Sequence, residues 1–151
     1  ENAGSTFFFA IPYCPVNPRH EKHKTVKQNY QWDSKYILVV EDTDSNYLVL
    51  KKMIEMNGAT TRQAATAAQA IEALHEKRPD LLIIDIALPD KDGFQLLADI
   101  KQDYADIPSL AHTAYASDQD IEKALQAGFE AFLPKPFKSN DLFQLLARHL
   151  G

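Results

Sequence analysis

Residues 80–93 read Asp80-Leu81-Leu82-Ile83-Ile84-Asp85-Ile86-Ala87-Leu88-Pro89-Asp90-Lys91-Asp92-Gly93. Four aliphatic residues in a row, without alternation, are the pattern of a strand buried on both faces, as in parallel sheets covered by helices. Asp85 closes that run and a Pro/Asp/Gly loop follows, and open α/β sheets place their chemistry at such carboxyl strand ends. A second run, Tyr36-Ile37-Leu38-Val39-Val40, also ends in acids, Glu41 and Asp42. Three carboxylates at two strand ends form a site for a hard divalent cation and for phosphate.

Outward from these runs, the pattern predicts strands at 36–41, 59–64, 80–85, 108–113 and 129–133. Helices are predicted between and after them, at 45–57, 67–78, 93–103, 118–127 and 139–149. The last shows the helical period most plainly, with Leu142, Leu145, Leu146 and Leu150 near one face. Ser117 is placed to cap the fourth helix, and Asp44 or Ser45 the first. Gly58 and Gly128 stand where left-handed turns close helices. Asp92 and Gly93 shape a loop and open the third helix. Five βα repeats with right-handed crossovers give an α/β, doubly wound parallel sheet, flavodoxin-like, in strand order 2-1-3-4-5. Its switch point falls between the first and third strands, which brings Asp42 and Asp85 together.

Composition narrows the function. A net charge of −5 argues against nucleic-acid binding, which needs a basic footprint. The basic cluster within Arg19–Lys24 reads as part of a solvated linker. One cysteine, Cys14, excludes an internal disulfide and a cysteine zinc cluster, and fits a reducing compartment. No apolar stretch approaches the roughly 20 residues that cross a bilayer, so no direct membrane contact is expected.

Five features occur in order at successive strand ends: Glu41-Asp42; Asp85; Pro89 with Asp92-Gly93; Thr113-Ala114; and Lys135-Pro136-Phe137. Over residues 36–151 this set resembles the receiver domain of two-component response regulators. The resemblance implies that Asp85 is the phosphoacceptor, taking a phosphoryl group from a phosphohistidine. It implies Mg2+, or Mn2+, held by Asp42, Asp85, the main-chain carbonyl of Ala87 and, through water, Glu41. Lys135 would pair with the phosphoryl group after a cis Lys135–Pro136 bond, and Thr113 would bond one of its oxygens. Phe132 stands at the switch aromatic, coupled to Thr113 and to the face of the fourth helix, fifth strand and fifth helix. Ala87 and Tyr115 hold variable positions that tune phosphoryl lifetime. His112 departs from the aliphatic residue usual there; it reads as a buried histidine with its hydrogen bonds met.

The leading residues add a second resemblance. Gly4-Ser5-Thr6-Phe7-Phe8-Phe9-Ala10-Ile11-Pro12 resembles the last strand of a histidine kinase ATP-binding domain. The expected organisation is therefore a kinase-domain remnant at 1–14, a linker at 15–35 and a receiver at 36–151. In this order the parent is a hybrid sensor histidine kinase, a phosphotransferase whose kinase core this sequence lacks. Expected partners are a histidine kinase's phosphohistidine domain and a histidine phosphotransfer protein, with a homodimer left open. The expected location is cytoplasmic, compatible with a parent anchored in the inner membrane. Trp32 is expected to pack onto the domain. Two rivals remain: a pseudo-receiver that binds without taking phosphate, and an aspartyl-nucleophile metal-dependent phosphatase. The second is weakened by Ala87, since such enzymes commonly carry a second Asp two residues after the first.

Overall fold

The computed structural model describes residues 30–114 and 117–151. The kinase-like run within 4–12, Cys14 and Tyr115 lie outside these residues, and so do the expectations that rest on them.

Five strands, β1 (Tyr36–Val40), β2 (Thr60–Ala64), β3 (Leu81–Asp85), β4 (Ser109–Thr113) and β5 (Ala131–Pro134), form one sheet. Every pairing is parallel and the order is β2-β1-β3-β4-β5, the doubly wound arrangement expected from the sequence. Helices α1 (Asp44–Glu55), α2 (Ala67–Glu76), α3 (Gly93–Asp103), α4 (Asp118–Ala127) and α5 (Ser139–Leu150) make the crossovers and close the chain.

Strand alternation splits the interior into two cores. Leu38, Val40, Leu82, Ile84 and Ala111 face α2, α3 and α4, where Ala70, Ala73, Leu96, Leu97, Ile100 and Ala124 meet them. Ile37, Val39, Leu81, Ile83, Leu110 and Leu133 face α1 and α5, against Leu50, Ile54, Leu142 and Leu146. β1, and β3 up to Asp85, thus run without polar alternation because both faces are covered. Burying each large aliphatic side chain contributes roughly 1.5–3 kcal/mol, which is what holds the strand ends in register.

Trp32 joins the second core at 1% exposure. Its ring stacks on Tyr30 at 5.0 Å and lies 6.2 Å from Phe143 of α5, and the Trp32 backbone N–H donates to the Asn57 carbonyl at 2.7 Å. Gly58, at φ 91°, makes room for this: a Cβ there would sit 2.4 Å from Asp33 Oδ1. Residues 30–33 of the expected linker are thus fastened to the domain.

Boundaries differ from expectation where capping competes with pairing. β5 begins two residues later than predicted because Gly128 turns left-handed at φ 105°. The N–H groups of Gly128 and Phe129 then bond back to Leu125 and Ala124 and close α4. Ser117 caps α4 as expected, in a reciprocal box with Asp120. Helix α1 departs: Thr43, rather than Asp44 or Ser45, is its N-cap, and no side chain caps it.

Candidate phosphoacceptor site

The two-residue period that sorts the core also sorts the chemistry. Ile37 and Val39 face α1 and α5, and one step further along β1 the same parity brings Glu41. On β3 it brings Asp85 after Leu81 and Ile83, and on β4 it brings His112 after Leu110. Asp85 and His112 are register partners, so the two side chains leave adjacent strands side by side. Thr113 takes the opposite parity, towards α3 and α4.

Carboxylate oxygens of Glu41, Asp42 and Asp85 all lie within 4.8 Å of one another. Glu41 and Asp85 are buried, whereas Asp42 is exposed. The Lys135 ammonium bridges the buried pair, with Nζ 2.6 Å from Asp85 Oδ2 and 2.7 Å from Glu41 Oε2. The peptide bond from Lys135 to Pro136 is cis, as the resemblance implied. Lys135 N–H donates to the Thr113 carbonyl at 2.9 Å, which fixes the backbone from which the ammonium reaches inward.

The other oxygens are fixed locally. Asp85 Oδ1 accepts the N–H of Ala87 at 2.9 Å. Glu41 Oε1 accepts the Thr43 N–H at 3.2 Å and the Asn46 side-chain amide at 3.1 Å. Burial by itself would push the Glu41 carboxyl up. Contacts with His112, Lys135 and Asn46 outweigh it and hold the group down at about 2. For Lys135 burial pulls downward, and hydrogen bonding to Asp85 and Glu41 raises the ammonium above its usual value.

The lowered Glu41 value makes stability depend on pH. Between its ordinary 4.5 and about 2, the unfolded chain takes up a proton that the folded site refuses. Stability from this group is therefore complete above the unfolded value and is lost as pH falls through that window. The loss expected for metal-free protein is on the order of 3 kcal/mol. Denaturant melts at a series of pH values should show it, and Glu41→Gln should flatten that segment of the curve.

The loop after Asp85 is anchored at two points. Asp90, which carries no cap signal for α2 in the sequence, accepts the N–H groups of Ala67 and Ala68 at 2.9 and 3.1 Å, so it caps α2 from across the site. Hydrogen bonding from the Ala67 backbone holds the Asp90 carboxyl low. Gly93 closes the loop, its N–H donating to the Ile86 carbonyl at 2.9 Å. Asp92 caps α3 by accepting from Phe94, the role expected of it. A Cβ at Gly93 would lie 2.6 Å from the Asp85 carbonyl oxygen and 2.8 Å from Ile86 Cα. Both are backbone atoms that cannot step aside. Gly93→Ala should therefore cost about 1–3 kcal/mol, the range for overpacking, and displace Asp85. Thermal melts and phosphoryl uptake should fall together.

Thr113 and Phe132 meet on the other side of β4. Both line a cavity of about 180 Å³ with Ile86, Asp92, Phe94, Asp120, Lys123 and Ala124. Thr113 is buried and Phe132 half-buried. His112 is the correction. It is 1% exposed, as expected, yet among the described residues neither ring nitrogen has a hydrogen-bond partner. Its Nδ1 stands 3.5 Å from Glu41 Oε2. Parity along 109–113 would have placed it beside Glu41, had the strand been read for facing as well as for burial.

Known proteins resemble this chain in sequence and fold. The family model described as the response regulator receiver domain matches residues 37–147. The polar-differentiation response regulator DivK of Brucella anthropi is 32% identical over 119 residues, 78% of this chain and 97% of that protein. Among solved structures, the non-phosphorylated HemR receiver domain of Leptospira biflexa is 31% identical, with a TM-score of 0.71, covering 78% of this chain and 94% of that one. A putative response regulator of Chloroflexus aurantiacus gives a TM-score of 0.73 at 28% identity, covering 77% and 97%. With the acid cluster, the bridging lysine and the sheet order already in place, the chain belongs to the response regulator receiver domain family of two-component signalling.

Proposed function

We propose that residues 36–151 form a phosphoacceptor domain in which Asp85 takes a phosphoryl group from a phosphohistidine. The observation that carries this reading is Lys135 Nζ, held 2.6 Å from Asp85 Oδ2 and 2.7 Å from Glu41 Oε2 beside Asp42. A half-buried lysine held between two buried acids, with a third acid beside them, is a site arranged for an incoming anion on one acid. Receiver domains bind Mg2+ through acidic residues, and this acid set fits a hard oxygen-seeking cation, Mg2+ or Mn2+. Asp42 and Asp85 would supply carboxylate oxygens, the Ala87 carbonyl a third ligand, and Glu41 would act through water. When bound, the cation supplies positive charge against the oxygens of the transferring group.

The chain's own residues do the rest. An Asp85 oxygen forms the new bond to phosphorus while the phosphorus–nitrogen bond breaks, its electron pair remaining on the donor imidazole. Lys135 leaves its carboxylates for the incoming phosphoryl oxygens. Thr113 bonds another of those oxygens, and the cavity it shares with Phe132 gives the ring space to shift. That movement would carry a local charge event to the α4–β5–α5 face.

The parent is proposed to be a hybrid sensor histidine kinase, supported by the kinase-like run at 4–12 ahead of the linker. The partners are then a histidine kinase's phosphohistidine domain and a histidine phosphotransfer protein. A parent reading frame containing a phosphorylatable-histidine helix and a nucleotide box supports that placement, and one containing neither sinks it. No helix among the described residues is long and apolar enough to cross a membrane.

Intact mass after incubation with acetyl phosphate and Mg2+ tests the chemistry. One phosphoryl group should be gained, and none when the cation is chelated. No gain under either condition leaves the pseudo-receiver reading.

A further inference from the structure

His112 presents a problem that the phosphoacceptor reading leaves open. Two buried ring nitrogens without hydrogen-bond partners are costly, since each gives up its hydration and gains nothing in return. An aliphatic side chain would fill the same place at no such cost. The ring is held in position from one side by Phe137, edge-on with centroids 5.5 Å apart. On the other side Nδ1 stops 3.5 Å short of Glu41 Oε2, just beyond a good hydrogen bond.

Glu41 Oε2 has its own difficulty. Its sibling Oε1 is secured by Thr43 and Asn46, whereas Oε2 accepts no hydrogen bond among the described residues and has the Lys135 ammonium, 2.7 Å away, as its counter-charge. Lys135 is shared, and its other partner is the carboxylate proposed to receive the phosphoryl group. Once that group is attached, the ammonium is drawn to it. A fully buried carboxylate oxygen is then left without its counter-charge, among the most unfavourable states a protein interior offers.

We infer that His112 is a positioning residue that takes over Glu41 Oε2 when Lys135 moves to the phosphoryl group. The inference rests on the phosphoacceptor reading and deepens it. The contact requires only an N–H on Nδ1. The donor has to advance by only about half an ångström, from 3.5 Å to hydrogen-bond length. In the resting site Lys135 is the counter-charge of Oε2 and His112 Nδ1 stands in long contact with the same oxygen, which accounts for the unmet Nδ1. In the phosphorylated site Glu41 would have a donor on each oxygen and would stay where it could hold a water of a bound cation.

Thermal melts of the full chain with and without Mg2+ and beryllofluoride, which occupies an Asp carboxylate as a phosphoryl stand-in, separate this role from simple packing. Wild type should melt higher with beryllofluoride. His112→Leu should melt close to wild type without it, the loss of the 3.5 Å contact with Glu41 being offset by the loss of two unpaired nitrogens. It should lose more than half of the beryllofluoride increment and bind beryllofluoride about tenfold more weakly, as expected for one hydrogen bond to a charged group. His112→Gln, with an amide donor, should recover most of the increment. A purely structural role would lower both melts equally, and that result overturns the inference, as does an increment in His112→Leu equal to wild type.

Should His112→Leu fail to fold, the imidazole N–H signals of the wild-type chain decide. A slowly exchanging Nδ1–H assigned to His112, by its loss in His112→Gln, must appear with beryllofluoride, and its absence overturns the proposal. If wild type gains nothing from beryllofluoride, the phosphoacceptor reading falls first and takes this inference with it.

Discussion

Asp85→Asn should abolish phosphoryl uptake from acetyl phosphate while leaving the domain as stable as wild type. The substitution keeps the shape of the side chain and replaces a carboxylate oxygen by an amide, whose lone pair is delocalised and a poor nucleophile. Losing a nucleophile outright removes the covalent route, so uptake should fall by at least about 10³-fold, to background in intact mass spectra. The stability half of the prediction comes from Lys135. Its ammonium loses the charge on Asp85 but keeps Glu41 Oε2 at 2.7 Å, so no buried charge is stranded. One of three crowded carboxylates also ceases to repel the others. The unfolding free energy should therefore stay within about 1 kcal/mol of wild type, or rise, in metal-free buffer. Uptake by Asp85→Asn equal to wild type would place the acceptor elsewhere. A large loss of stability would mean that Asp85 is chiefly a structural partner of the lysine.

The features legible in the sequence were those that local pattern determines. Uninterrupted aliphatic runs marked β1 and β3 because a strand buried on both faces has no polar position to spare. The parallel order followed from helices between them, and with it the meeting of Glu41, Asp42 and Asp85. Glycine at 128 and serine at 117 announced the ends of α4, although the backward bonds of Gly128 and Phe129 took two residues from β5. What stayed hidden depends on side chains meeting across the fold. Asp90 caps α2, an element it neither adjoins nor resembles a cap for in sequence. Asn46 looks like any polar residue in a first helical turn, yet its amide steadies Glu41. The N-cap of α1 was misplaced for a related reason. The Thr43 N–H is claimed by Glu41, so the site rather than the helix governs the geometry at that end. His112 was seen as an oddity, but its unmet nitrogens are visible only when every neighbour is placed.

Lys135→Met should produce a protein that is less stable without metal, binds Mg2+ more tightly, and accepts phosphate poorly. Methionine matches the aliphatic stem of lysine but carries no charge, so Glu41 Oε2 and Asp85 Oδ2 lose the ammonium that sits between them. Breaking one side of a buried ion pair costs about 3–5 kcal/mol, and the partial exposure of Lys135 and Asp42 trims this to roughly 2–3 kcal/mol. The same change removes a competitor. In wild type a divalent cation entering among the acids meets a positive charge already bound to two of them. Without that charge the three carboxylates attract the cation unopposed, and Mg2+ affinity should rise about tenfold or more. The variant should therefore gain more stability from Mg2+ than wild type does, which melts across a Mg2+ titration will show directly. Phosphoryl uptake should nevertheless fall by about 10²-fold, because the lysine that would meet the developing charge on phosphorus is gone. The two effects run in opposite directions, and no general loosening of the fold can produce both. If Mg2+ binds Lys135→Met no more tightly than wild type, the ammonium is not the counter-ion that the cation must work against, and the account of this site as a lysine exchanging between acids and phosphate fails with it.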